Sequence, residues 1–194
     1  MIIHTAAVKR GTQYAHIVGD MPFLSYQADV KEAIGNAGRF LKEGSMEAVK
    51  LEGGRERLDA VRAIVGAGIP VMGHIGLTPQ SVHRFGGYRV QGRGRGDAES
   101  LHRAAAELQE AGAFLLVLEA IPPALGAAIT RDLRIPTIGI GAGPGCDGQV
   151  LVFADLLGLS AGPLPRFVRR YADLATVIRD ALARFGADVR AGRY

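Results

Sequence analysis

The chain has 194 residues, 48% hydrophobic and 22% charged, which suits one soluble globular domain with a sizeable core. No apolar run approaches the ~20 residues of a membrane-spanning helix, no charged leader followed by an apolar stretch opens the chain, and the single cysteine, Cys146, excludes an internal disulfide, so a reducing cytoplasm is expected. The net charge of +4 resides between Arg166 and Tyr194, where seven arginines face three aspartates; with little aromatic interleaving, this segment reads as a solvated basic helix face rather than a nucleic-acid surface.

Taken in order, residues 2–10 have a helical pattern closed by Gly11. His16-Ile-Val-Gly-Asp20 reads as a short buried strand, stopped by Met21-Pro22 because proline cannot continue a central ladder. From Gln27 to Lys42, Val30, Ala33, Ile34, Ala37 and Leu41 recur at helical spacing. A strand through Val49-Lys-Leu-Glu-Gly-Gly54 follows. Arg55 to Val65 is a helix leading to a strand at Val71-Met-Gly-His-Ile-Gly76. Thr78-Pro79 marks a helix start. The polar segment that follows, through Gly86-Gly-Tyr88 to Gly96, reads as a binding loop or lid. Asp97 to Gln109 is a strong helix, Phe114 to Leu118 the most clearly buried strand, with Glu119 at its end. Pro122-Pro123 precedes a helix to about Leu133. Thr137 to Ile140 is a strand, Gln149 to Phe153 a further strand candidate, and helix is expected from about Phe167 to Phe185. Six apolar strands alternating with helices indicate a parallel α/β sheet covered on both sides, in a single domain over residues 1–194.

In such folds, polar residues at the C-terminal ends of strands form the site. Here these are Asp20, Lys50, Glu52, His74 and Glu119. Alternation along the strand puts Lys50 and Glu52 on one face, opposite Val49 and Leu51. Burying such a pair is costly unless it is a structural ion pair or serves chemistry. Two or three carboxylates on one rim suit a hard cation such as Mg²⁺. A lysine beside them suits an anionic substrate, and a carboxylate or histidine can move a proton. That set fits enolisation of a keto acid. Each residue also has a plainer reading: Asp20 as a turn residue, His74 as a core histidine bonded to backbone, Asp147 as a turn former. The Gly139–Gly145 run and Gly92-Arg-Gly-Arg-Gly96 lack the GxGxxG spacing. No P-loop, HExxH or paired CxxC is present. Gly141-Ala-Gly143 reads as a phosphate cradle or a backbone turn.

Several stretches go beyond spacing. Asp20-Met-Pro-Phe, Val49-Lys-Leu-Glu-Gly-Gly, Gly73-His-Ile-Gly-Leu-Thr-Pro-Gln-Ser-Val, Phe85-Gly-Gly-Tyr-Arg-Val-Gln-Gly-Arg, Leu116-Val-Leu-Glu-Ala-Ile-Pro, Ile138-Gly-Ile-Gly-Ala-Gly and Cys146-Asp-Gly-Gln-Val-Leu-Val together resemble ketopantoate hydroxymethyltransferases. Pro165-Arg-Phe-Val-Arg-Arg-Tyr fits the C-terminal segment of that family. The resemblance implies a (β/α)₈ TIM barrel of the phosphoenolpyruvate/pyruvate superfamily, here with about six of the eight strand–helix units, assembled as a homo-oligomer, often a decamer. It implies transfer of a hydroxymethyl group from 5,10-methylenetetrahydrofolate to 3-methyl-2-oxobutanoate, giving 2-dehydropantoate for pantothenate. By motif match, Asp20 and Glu52 belong to the Mg²⁺ site, Lys50 binds the keto acid, His74 and Asp20 contact substrate, and Glu119 is the proton acceptor.

The family has two further strand–helix units before the stretch matching His4-Thr-Ala-Ala-Val, one ending in a Gly-Asp-Ser motif that supplies another metal-binding Asp. The resemblance therefore implies an N-terminally shortened member with weak or absent turnover. Two other readings compete: a carbon–carbon lyase or mutase of the isocitrate lyase type, and a non-catalytic remnant that only oligomerises. The His74–Gln80 segment and the Phe85–Arg93 loop favour the transferase.

Overall fold

The computed structural model describes the backbone of all 194 residues and every side chain except those of Arg84 and Phe85. It divides into two compact units, Met1–Gln149 and Val150–Tyr194. The first runs α1 (Ile2–Gly11), β1 (Val18–Asp20), α2 (Val30–Lys42), β2 (Ala48–Glu52), α3 (Leu58–Gly66), β3 (Val71–Gly76), α4 (Val82–Phe85), α5 (Arg95–Glu110), β4 (Leu115–Glu119), α6 (Pro123–Asp132), β5 (Thr137–Ile140) and β6 (Gly148–Gln149). Short 3₁₀ turns at Arg55–Arg57 and Pro79–Ser81 lead into α3 and α4.

The six strands lie in the order of the sequence, β1 to β6, and each neighbouring pair is parallel. Parallel crossovers are right-handed, so a sheet that advances always in one direction collects its helices on one face. The sheet is thus a curled half-barrel with one helix-covered face, not a sheet with helices on both. The register shows how residues divide between faces. Asp20 pairs with Lys50, Glu52 with His74, His74 with Val117, and Gly76 with Glu119. Side chains of paired residues share a face. Val18, Lys50, Glu52, Met72, His74, Leu115, Val117, Glu119, Ile138 and Ile140 therefore line the concave side. Val49, Leu51, Val71, Ile75, Leu116 and Leu118 face the helices.

That helix side is the core. Those six residues are essentially sealed from solvent, together with Ala33, Ala37 and Phe40 of α2, Val61 and Ile64 of α3, Ala105 and Leu108 of α5 and Ile129 of α6. Each large side chain buried there contributes about 1.5–3 kcal/mol. The α2 residues recur at helical spacing, and Asp29 caps that helix by accepting the Glu32 N–H. Pro123 at the first turn of α6 needs no N–H partner. At the opposite ends of the strands, Glu47 accepts the Ile17 N–H at 3.1 Å and pairs with Lys9 and His16. The Ile17 N–H is the main reason its carboxyl lies below the usual glutamate range.

In the second unit, α7 (Phe153–Leu156) and α8 (Leu174–Arg190) are linked by backbone bonds from Tyr171, Leu174 and Ala175 to residues 156–158. Two expectations shift here. The strand expected over Gln149–Phe153 is only Gly148–Gln149, since Val150 and Val152 stand exposed and Phe153 opens a helix. The final helix begins at Leu174, where Asp173 accepts the Thr176 N–H, rather than at Phe167. No residue of α8 is buried; besides its arginines it exposes Val177, Ile178, Leu182, Phe185 and Val189. Among the described residues no helix is long and apolar enough to cross a membrane.

Candidate active site at the strand ends

β1 stops because Met21 is followed by Pro22; its last ladder bond runs from Met21 N–H to Lys50 O at 3.1 Å. Asp20 is thereby left at the rim, half exposed, beside Lys50. The Lys50 ammonium lies 2.9 Å from Asp20 Oδ1, 3.1 Å from His74 Nδ1 and 3.6 Å from Glu52 Oε1. An ammonium only donates, so His74 Nδ1 accepts and the ring proton belongs on Nε2. Nε2 lies 3.1 Å from Glu119 Oε2. The carboxylate sits off the N–H axis, so Nε2 has no hydrogen-bond partner among the described residues. His74 and Glu52 are almost fully buried, with side chains 4% and 5% exposed, while Glu119 retains 13%.

The backbone around Glu119 is shaped for this. Gly76 has φ +95°, and a Cβ there would collide with the Glu119 carbonyl oxygen. That oxygen accepts the Leu77 N–H. Ala120 takes φ +48°, a conformation that is strained for a residue with a side chain. It is held by bonds from Ala120 N–H to Ile140 O and from Gln91 N–H to Ala120 O. Strain of this kind, sustained by two tertiary bonds, fixes the direction in which Glu119 leaves its strand.

Asp20, Lys50, Glu52, His74 and Glu119, spread over one hundred residues of sequence, thus meet on one rim of four neighbouring strands. The plain readings give way at two positions. Asp20 contacts the lysine rather than closing a turn, and the buried His74 is partnered by side chains rather than backbone. Asp147 lies elsewhere, its carboxylate accepting from Thr137 N–H and hydroxyl, so it ties a loop to the start of β5. Gly141 and Gly143 occupy left-handed turn positions. Gly143-Pro-Gly-Cys-Asp-Gly148 does carry GxGxxG spacing, but it leads into the two-residue β6 and not into a helix, so it lacks the helix end that would hold a phosphate.

Electrostatically the rim is short of positive charge: three carboxylates share one ammonium. Asp20 Oδ1 is buried and, although close to Lys50, is not aligned for a hydrogen bond. Such an orphaned oxygen in a carboxylate-rich setting fits a hard cation, which takes one or two carboxylates and completes its shell with water and substrate oxygens. Among the described residues no three His, Cys, Asp or Glu side chains form a ready-made metal cage. Two residues at this rim carried no signal in composition or spacing. Tyr26 is a buried phenol in the loop after β1, and Gln80 follows Thr78-Pro79; together they bracket Glu52.

The ketopantoate hydroxymethyltransferase family model matches residues 1–194. The chain belongs to this family. Two relatives, from Pelobacter propionicus and Geobacter sulfurreducens, are each 57% identical over 194 residues, the whole of this chain and 72% and 73% of their own lengths. Both are named 3-methyl-2-oxobutanoate hydroxymethyltransferase. Among solved structures, the phosphoenolpyruvate phosphomutase of Streptomyces platensis subsp. rosaceus superposes with a TM-score of 0.58 at 13% identity, over 99% of this chain and 67% of that one. At that identity the likeness speaks for the α/β barrel fold alone. The five residues expected from the motifs, Asp20, Lys50, Glu52, His74 and Glu119, are the ones that meet at the strand ends here.

Proposed function

We propose that this chain transfers a hydroxymethyl group from 5,10-methylenetetrahydrofolate to 3-methyl-2-oxobutanoate, giving 2-dehydropantoate for pantothenate synthesis. The observation that carries the reading is the unbroken run of contacts from Asp20 through Lys50 and His74 to Glu119. It brings the Lys50 ammonium and the Glu119 carboxylate to one rim, which supports reading them as substrate-binding cation and proton acceptor.

In this reading Lys50 binds the keto acid, whose negative oxygens replace its loosest contact, that to Glu52. Glu119 takes the proton from C3 of the keto acid, and the C–H electron pair moves into a C2–C3 double bond while the carbonyl oxygen gains charge. C3 then bonds the folate-borne carbon. The two carbon–nitrogen bonds of that carbon are replaced by the new carbon–carbon bond and a hydroxyl from water, and tetrahydrofolate leaves. His74 Nε2, 3.1 Å from Glu119 Oε2 though out of line for a hydrogen bond, sets the position of that carboxylate beside the substrate. Asp20 directly, and Glu52 through water, would hold Mg²⁺, which supplies positive charge against the developing oxyanion. Assembly into a homo-oligomer belongs to the same reading, and the exposed apolar residues of α8 support it.

Titration calorimetry tests this. 3-Methyl-2-oxobutanoate is expected to bind wild type in the presence of Mg²⁺, to lose that binding when the metal is chelated, and to lose it in Lys50→Met. Absence of keto-acid binding with Mg²⁺ present would overturn the assignment.

A further inference from the structure

Glu52 lies where the sheet leaves it unsupported. β1 has ended by the level of Lys50, so the Glu52 N–H and C=O that would face a longer β1 have no strand to bond. Buried backbone groups need partners. The Tyr26 hydroxyl takes the place of the missing strand: it accepts the Glu52 N–H at 3.0 Å and lies 3.3 Å from the Glu52 carbonyl oxygen. Its one proton has a better acceptor in Gln80 Oε1 at 2.8 Å. Tyr26 is only 2% exposed, so no water competes for this hydroxyl.

Gln80 extends the same bracket through its side-chain amide and its backbone N–H. Its Nε2 donates to Met21 O at 2.8 Å, its Oε1 also accepts from Gln27 Nε2 at 3.1 Å, and its backbone N–H donates to Glu52 Oε2 at 2.9 Å. The side chain thus joins the loop after β1 to the loop after β3, and the N–H of the same residue ties down one oxygen of Glu52. Only Oε1 is left to face Lys50.

We propose that Gln80 and Tyr26 are positioning residues, which fix the Glu52 carboxylate with Oε2 anchored and Oε1 turned into the site. This rests on the keto-acid reading of that site. Residues that orient a metal ligand from behind commonly change affinity by about 10–100-fold when removed.

The test uses Gln80→Leu and Tyr26→Phe in the full chain, with three measurements: thermal midpoint, amide exchange at Glu52 by NMR, and calorimetric binding of 3-methyl-2-oxobutanoate with Mg²⁺. The expected result is about 10–100-fold weaker binding per folded molecule in Gln80→Leu, and faster Glu52 amide exchange in Tyr26→Phe with the fold retained. Wild-type affinity in Gln80→Leu, or a loss of binding accounted for by unfolded protein, would overturn the proposal. Should wild type itself bind no keto acid, the functional reading falls and Glu52 exchange decides positioning alone: faster exchange in Tyr26→Phe upholds it, unchanged exchange overturns it.

Discussion

The two faces of the sheet are built from alternate residues of the same strands, yet they do different work. On the helix side, Val49, Leu51, Val71, Ile75, Leu116 and Leu118 pack into a dry core. On the concave side the neighbouring residues are Lys50, Glu52, His74 and Glu119 at the rim, with Met72, Leu115 and Ile138 half-buried below. A two-residue period lets one strand serve both ends without compromise. Stability is expected to reside on one face and chemistry on the other, and substitutions can break that division.

The largest effect is expected at the rim. Glu119→Gln should lower hydroxymethyl transfer by about 10²–10⁴-fold relative to wild type, itself expected to turn over weakly, the usual worth of a general base. It should leave the thermal midpoint unchanged or slightly higher, because it removes one carboxylate from an anionic cluster. Steady-state kinetics beside a melting curve checks both, and a large loss of stability would contradict the division.

The sharpest structural contrast is a matched pair. Leu116→Ala, on the helix side, should cost about 2–5 kcal/mol in chemical denaturation. Leu115→Ala, one residue earlier on the concave side, should cost about 1 kcal/mol or less. Equal costs would mean that the concave face is as tightly packed as the core.

Two pH effects are smaller. The Tyr26 phenol is raised in the folded state, so its contribution to stability is complete below about pH 10 and is lost as pH rises beyond. Denaturation curves between pH 9 and 11 should fall less steeply for Tyr26→Phe than for wild type, with ranges set by the ordinary phenol value of about 10. Glu47 is shifted the other way. Its contribution is present above the ordinary value of 4.5 and is lost as pH falls below it. The stability difference between wild type and Glu47→Gln should therefore be flat at neutral pH and shrink in acid. A constant difference would show that the Ile17 N–H contact does not depend on the charge.

Much of this was legible in the residues. The strand at Val49–Glu52 shows its two faces by alternation alone, and apolar spacing locates α2, α3 and α5 within a few residues. The boundaries at the end of the chain were harder. Val150-Leu-Val-Phe153 has strand composition but no ladder beyond Gln149, and Asp173 moves the start of α8 past the apolar Phe167–Val168 stretch. The site was half legible. Charged residues closing apolar strands are conspicuous because burying them is costly. Tyr26 and Gln80 are not, because a tyrosine in a loop and a glutamine after a proline are ordinary until their partners are known.

Taken alone, the order of residues determined which strands exist, which side chains share a face and which polar groups end each strand, since these follow from local periodicity and the chemistry of turns. Only the tertiary structure decided that the helices gather on one side and that five residues from four strands touch. It alone showed that Tyr26 and Gln80 stand in for a strand beside Glu52, because curvature, register and long-range hydrogen bonds depend on pairings between distant segments that no local pattern encodes.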